Sequence, residues 1–93
     1  MSKTIMASRR RTRDQVKRAI EKAFRARFPT DTVDVSDGYQ DNIHVLVVSR
    51  QLDNLSEADK QDLMWQIIDG AGLADAEKAL ISLVMPLSPS EVK

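Results

Sequence analysis

The chain has 93 residues, of which 42% are hydrophobic and 30% are charged, and it contains no cysteine. A chain of this length supports one small core, so two separate domains are excluded, and the lack of cysteine excludes disulfides, thiolate metal sites and thiol catalysis within the chain. The formal net charge is zero, but ten of the fourteen basic residues precede Pro29 with only Asp14 and Glu21 against them, which gives this part +8 and the remainder −8.

The first predicted element is an amphipathic helix that begins at Thr12. Thr12 followed by Gln15 is a capping-box pattern, in which both side chains satisfy free amides of the first turn. Apolar residues then recur at spacings of three and four, which places them on one face, and Pro29 ends the helix. This apolar face consists of Val16, Ala19, Ile20, Ala23 and Phe24. Residues 1–11 include an aperiodic stretch, and we expect them to form a flexible basic arm.

Basic residues occupy the opposite face of the same helix. Arg11, Arg18, Lys22 and Arg25 are stepped by seven, four and three residues, so they share that face. Two interpretations are open: the face binds phosphates, or it lies across the acidic remainder of its own domain. The first requires that carboxylates of the same chain leave these cations free.

A β-hairpin follows the first helix. Residues 32–36 alternate, with Val33 and Val35 on one side, and residues 43–49 are rich in β-branched side chains. The Asp, Asn and Gly residues between them favour a turn, so the two segments are predicted to pair antiparallel. Because the second strand is apolar on both faces, we expect it in the centre of the sheet, with helices over one face.

A second capped helix is predicted from Ser56, with Asp59 three residues further on, to Gly70 and Gly72. Residues 73–78 suit a short helical turn, and this helix and turn precede the last strand. The apolar stripe of the second helix consists of Leu63, Met64, Ile67 and Ile68.

The third strand is predicted at residues 79–85, closed by Pro86. Since a long helical crossover joins the second and third strands, they should run parallel. The sequence therefore predicts an α+β fold in residues 12–93: a single α-β-β-α-α-β domain with a three-stranded mixed sheet and helices packed on one face. The predicted core includes Val16, Ile20, Phe24, Val35, Val45, Val47, Leu63, Ile67, Leu80 and Leu83.

No catalytic or metal-binding pattern is found in the sequence. His44, the single histidine, lies in an apolar strand, where it is more often a packed residue than a base. Asp37 and Asp41 lack the spacing and the terminal glutamate of a calcium loop, and turn chemistry explains them better. No phosphate loop, dinucleotide-binding glycine run or nucleophile elbow is present. We therefore expect no enzyme activity, no metal and no cofactor.

The few aromatic residues do not favour a single-strand binding platform. Phe24, Phe28 and Trp65 are expected in the core, which leaves Tyr39 as the one exposed ring. The longest apolar run, residues 43–48, is too short to span a bilayer, and no secretory signal is apparent. A cytoplasmic protein without membrane contact is expected.

Several short motifs, in this order of elements, resemble the BolA-like proteins. Residues 33–38 read VDVSDG where that family has V-x-V-x-D, and residues 44–49 read HVLVVS, a hydrophobic strand ending in Ser. Residues 78–82 read KALIS against H-A-L-S, and residues 87–91 read LSPSE against T-P-E-E-W. The similarity extends over residues 16–91 in order and spacing.

The resemblance implies a fold related to the class II KH topology, no catalytic activity and two alternative roles. Some BolA-like proteins are DNA-binding regulators of the stress response, and others partner monothiol glutaredoxins in iron–sulfur cluster handling. The shared cluster is bound by a family histidine and a loop Cys or His. Lys78 stands at the position of that histidine, and residues 37–42 contain neither Cys nor His. We therefore expect a divergent member that does not share a cluster.

We predict a non-enzymatic BolA-like regulatory or adaptor protein that binds DNA or RNA through its first helix and arm. The alternative is a protein-interaction module that partners a monothiol glutaredoxin, with the third strand and the tail to Glu91 as the docking surface. Binding to phosphates should fall steeply with salt, whereas apolar docking should not. The predicted nucleic-acid interface consists of Arg9, Arg10, Arg11, Arg13, Arg18, Lys22 and Arg25.

Overall fold

The computed structural model describes residues 11–92. Within this part, the order of elements is the predicted α-β-β-α-α-β. None of the helices in it is long and apolar enough to cross a membrane. The elements are α1 (Arg13–Arg27), β1 (Thr32–Asp37), β2 (Ile43–Val48), α2 (Glu57–Asp69), α3 (Asp75–Lys78) and β3 (Ile81–Leu87), with single 3-10 turns at Arg50–Leu52 and Pro89–Glu91.

The three strands form one mixed sheet with β2 in the centre. β1 runs antiparallel to β2, with Val35 opposite Val45, and β3 runs parallel to β2, with Val84 opposite Val45. Helices α1 and α2 pack on one face of this sheet. The predicted α+β class, the central position of β2 and the parallel pairing of β3 are confirmed.

The start of α1 follows the predicted capping box. The Gln15 backbone amide donates to Thr12 Oγ1 at 3.2 Å, and the Thr12 backbone amide donates to Gln15 Oε1 at 2.8 Å. The helix then buries Val16, Ile20 and Phe24 against the sheet. Local hydrogen bonding and the apolar stripe thus explain both where α1 begins and which face it buries.

The core lies between the sheet and the two longer helices. Of the ten predicted core residues, Val16, Ile20, Phe24, Val45 and Val47 are buried. Val35, Leu63, Ile67 and Leu80 are partly buried and pack against this core at its margin. The prediction for Leu83 is wrong, because its side chain is 42% exposed.

In α2, the buried residues are the neighbours of the predicted ones. Met64 and Ile68 are fully buried. Leu63 and Ile67 each precede one of them by one position, so they are rotated about 100° around the helix axis and lie at the margin of the core. Trp65, expected in the core, is 36% exposed for the same reason. Four apolar residues in a stripe cannot all face the sheet, because adjacent helical residues differ by about 100°.

In β3, a register shift changes which residues face the core. Ile43 pairs with Ile81, but His44 pairs with Leu83, so Ser82 is an extra residue in the strand. Ile81 and Val84 therefore both face the helices although they are three residues apart, and Leu83 faces the other side. The strand also begins and ends two residues later than predicted and includes Pro86.

Candidate functional site

Arg11, the first predicted phosphate-binding residue in the described part, is held by the acidic half of the chain. Its Nη2 lies 2.7 Å from Glu77 Oε1, and its Nε donates to Glu77 Oε2 at 3.1 Å. The same Nη2 donates to the Gly72 carbonyl at 2.8 Å. The Arg11 guanidinium lowers the pKa of the Glu77 carboxyl. Arg11 thus links the start of α1 to the region around α3.

Arg13 and Lys17 are held by a second carboxylate, at the end of β1. Their nitrogens lie 2.7 Å and 2.8 Å from Asp37 Oδ1. Arg13 also donates to the carbonyls of Asp41 and Asn42, at 2.9 Å and 2.7 Å. Hydrogen bonds from Lys17 and then Arg13 lower the pKa of Asp37. These contacts tie α1 to the β1–β2 loop.

Arg25 contacts its own helix and the edge of the sheet. Its Nε donates to Glu21 Oε2 at 2.8 Å, one turn earlier, and its Nη2 donates to the Val33 carbonyl at 3.1 Å. Half of the Arg25 side chain remains exposed. An exposed pair of this kind contributes about 0.3–0.5 kcal/mol, so phosphate could displace it, but the Glu21 carboxylate would stay nearby and repel the phosphate.

Arg18 and Lys22 are exposed, and neither forms an ion pair with any residue in the described range 11–92. They lie one turn apart on α1. Asp14 and Glu21 flank Arg18 in a shallow groove between α1 and β1. Arg9 and Arg10 lie outside the described residues, as does nearly all of the predicted arm. Two of the five described cations of the predicted interface are therefore free of carboxylate partners.

A different surface lies on the face of the sheet opposite α1 and α2, which we call the open face. In β2, Ile43, Val45 and Val47 are buried under the helices, whereas the alternate residues face the other way and are only half-buried. No helix of residues 11–92 packs on that side. The half-buried residues are His44, Leu46 and Val48.

β3 adds the most exposed apolar side chains to the open face. Leu83 and Met85 are 42% and 40% exposed, and Leu87 is half-buried. The register sets Met85 beside Leu46 and Leu87 beside Val48. We call Leu46, Val48, Leu83, Met85 and Leu87 the apolar patch. The sequence holds a signal for it, because β3 is apolar on both faces as β2 is, and one helix layer covers only one face.

β1 completes the open face with a polar row. Thr32 and Ser36 pair with Val48 and His44, and Asp34 pairs with Leu46. Asp34 is exposed and forms no ion pair within residues 11–92. The apolar patch thus has a polar border on one side.

The outer edge of β3 is closed to a further strand. The Ser49 backbone amide donates to the Leu87 carbonyl at 3.0 Å, so the backbone N–H and C=O groups of Leu87 and of alternate residues before it point toward β2. The backbone groups of Val84 and Pro86 therefore point away from β2, to the outer edge. Gln61 of α2 donates to the Val84 carbonyl at 3.1 Å, and Pro86 has no N–H to offer. This outward position explains why a strand tolerates proline here.

The residues present do not fit an iron–sulfur cluster shared in the manner of the BolA-like proteins. Lys78, at the position of the family histidine, directs its ammonium to Asp69 Oδ1 at 3.1 Å. An ammonium group has no lone pair for iron. Residues 11–92 also contain no group of three or more His, Asp or Glu side chains placed to hold a metal ion. His44 instead packs its ring against Gly38, where an added Cβ would lie 2.4 Å from Nε2.

The fold agrees with the topology that the resemblance implies, and the family assignment stays a prediction. Its support is the motifs and their order along the chain. No protein-family model, no curated protein and no solved structure matches this chain.

Proposed function

We propose that this protein is a non-enzymatic, BolA-like adaptor that binds a protein partner through the apolar patch. The observation that carries the proposal is the exposure of Leu83 and Met85 on a face that no described helix covers. Contiguous exposed apolar residues with a polar border are typical of protein-binding surfaces. Burying two such side chains removes apolar area from water and so favours association.

The charge arrangement on α1 supports this function over nucleic-acid binding. Arg11, Arg13 and Arg25 each contact a carboxylate of the same chain. Phosphate binding would have to replace those contacts while the carboxylates stay in place. Docking on the open face disturbs none of them.

The BolA resemblance suggests a monothiol glutaredoxin as the partner. Because Lys78 is paired with Asp69 and the β1–β2 loop lacks Cys and His, the proposed complex forms without a shared cluster. Mixing the protein with a cluster-loaded glutaredoxin is therefore expected to leave the visible spectrum of the cluster unchanged.

The test is amide shift mapping of the labelled protein during titration with a monothiol glutaredoxin. We expect shifts in β2 and β3, and an affinity about tenfold lower for Leu83→Ser/Met85→Ser. Arg18→Glu/Lys22→Glu is the matched control and should bind as the wild type does. Lack of glutaredoxin binding would rule out this partner, and binding that is unaffected by the open-face substitutions would contradict the apolar patch as the binding surface.

Nucleic-acid binding remains a second candidate because Arg18 and Lys22 are exposed, adjacent and unpaired within residues 11–92. The dependence of duplex affinity on salt tests it quantitatively. Two phosphate contacts give a slope of about −2 for log affinity against log salt, whereas the seven predicted cations would give about −6. We expect the shallow slope, and its loss in Arg18→Glu/Lys22→Glu. A steep slope would favour the full predicted interface.

A further inference from the structure

We infer that the occupant of the apolar patch is an amphipathic helix of the partner, and that a basic side chain beside its apolar stripe contacts Asp34. This inference rests on the proposed function and deepens it, because it names the shape and the charge of the bound segment. Three features of the sheet carry it: its closed edges, the dimensions of the patch and the single charge on the open face.

The closed edges disfavour binding by strand addition. At β3, Gln61 occupies the Val84 carbonyl and Pro86 lacks an N–H. At β1, Arg25 occupies the outward Val33 carbonyl. An added strand needs a continuous row of free donors and acceptors, and each edge is interrupted. These contacts favour a partner that approaches the face of the sheet over one that adds a strand.

The dimensions of the patch suit one helix. It is two neighbouring strands wide, roughly 5 Å between strand axes, and Leu83 to Leu87 extends over about 13 Å. A helix is about 10 Å across, and two turns of its apolar stripe extend over about 11 Å. The opposite face of the same sheet already binds a helix, because Met64 and Ile68 of α2 pack against the buried residues of the strands.

The charge on the open face selects a basic partner. Asp34 is opposite Leu46 in the sheet register, at the border of the patch, and it forms no ion pair within residues 11–92. The nine alternating positions of the open face include no lysine or arginine. A second copy packed through the same face would therefore bring no cation to Asp34, whereas a helix flanked by basic residues does.

The test uses three labelled peptides of about 18 residues, titrated with the full chain and followed by fluorescence anisotropy. The first has a leucine stripe at helical spacing with flanking lysines. The second has the same stripe with flanking glutamates. The third has the composition of the first, but leucine and lysine alternate so that it forms a strand. We expect the first peptide to bind about tenfold more tightly than either of the others.

Three variants connect this binding to the open face. Leu83→Ser/Met85→Ser should weaken binding of the first peptide about tenfold. Asp34→Asn should remove most of the difference between the first and second peptides. Tyr39→Ser is the matched control, because Tyr39 is 79% exposed but lies in the β1–β2 loop, and it should change nothing.

Equal or tighter binding of the alternating peptide would overturn the inference in favour of strand addition. Equal binding of both striped peptides, unchanged in Asp34→Asn, would overturn the role of Asp34. A dimer of the full chain in sedimentation that Leu83→Ser/Met85→Ser dissociates would identify a second copy as the occupant. If glutaredoxin binds at the patch while no peptide does, the inferred helix is wrong and the proposed function stands. If the first peptide binds as expected and glutaredoxin does not, only the proposed partner is wrong.

Discussion

The ammonium group of Lys60 lies 2.7 Å from the Glu91 carboxylate, so a lysine on the buried side of α2 is joined to the last turn of the described chain. Lys60 is only 3% exposed, and it also contacts Glu57 at 3.1 Å. Glu91 accepts a further hydrogen bond from the Ser88 amide at 2.7 Å. Lys60 first, and then Ser88, lower the pKa of Glu91 to about 2, and the contact with Glu91 raises the pKa of Lys60.

This pair predicts a defined loss of stability in acid. The folded pKa of Glu91 lies below its ordinary value of 4.5, so the contribution is complete above that value and is lost as the pH falls toward about 2. We expect Glu91→Gln to lower the melting temperature at pH 6. Between pH 4.5 and 2, the melting temperature of this variant should fall less than that of the wild type. Thermal melting across this range measures both effects.

Glu57→Gln is the control for that experiment. The Glu57 side chain also contacts Lys60 but is 76% exposed, so its removal should leave the melting temperature and its acid dependence close to those of the wild type. Equal melting of Glu91→Gln and wild type at pH 6 would show that the Lys60 contact does not stabilise the fold.

Two methionines should differ sharply when truncated. Met64 is fully buried under the sheet, so Met64→Ala should destabilise the protein by about 2–5 kcal/mol. Met85 is 40% exposed on the open face, so Met85→Ala should cost less than about 1 kcal/mol. Urea unfolding of the two variants measures the difference. Similar losses in the free energy of unfolding would mean that Met85 is buried in the folded protein as Met64 is.

The close packing of Gly38 and His44 predicts a coupled pair of substitutions. A Cβ at residue 38 would lie 2.4 Å from His44 Nε2, so Gly38→Ala should cost about 1 kcal/mol as the ring moves aside. His44→Ala removes the ring, so adding Gly38→Ala to the His44→Ala variant should be nearly neutral. A double-mutant cycle by urea unfolding gives the coupling energy, and strictly additive losses would refute the contact.

The edge of β3 predicts the effect of removing its protection. Gln61→Ala frees the Val84 carbonyl and should destabilise the protein by about 1 kcal/mol. Combined with Pro86→Val, it should increase self-association, because the outward edge then offers an uninterrupted set of donors and acceptors. Light scattering during incubation measures this association. Gln66→Ala, on the exposed side of α2, is the matched control and should remain monodisperse.

Local signals predict much of the fold. Thr12 and Gln15 form a capping box because the interacting groups are three residues apart, and the Val16, Ile20 and Phe24 stripe fixes the buried side of α1. Pro29, Gly38 and Gly70 then follow the ends of α1, β1 and α2 within two residues. Such features need no knowledge of distant residues, which is why they can be read from the sequence.

Features that depend on distant contacts are not predictable in this way. Periodicity cannot show that Ser82 is an extra residue in β3, so it misplaces Leu83 in the core. Arg11 falls on a cationic face by spacing alone, but its partner Glu77 is 66 residues away. Lys60 shares the buried side of α2 with Met64, four residues later, yet a charged residue there becomes plausible only once Glu91 is known to lie opposite it.

The parallel pairing of β2 and β3 has a consequence for how the chain folds. The β1–β2 hairpin closes a short loop, whereas the chain between Val45 and Val84 contains α2 and α3. Closing the longer loop costs more chain entropy before any contact is gained. We therefore expect the hairpin and α1 to assemble early, with addition of the third strand as the slow kinetic step.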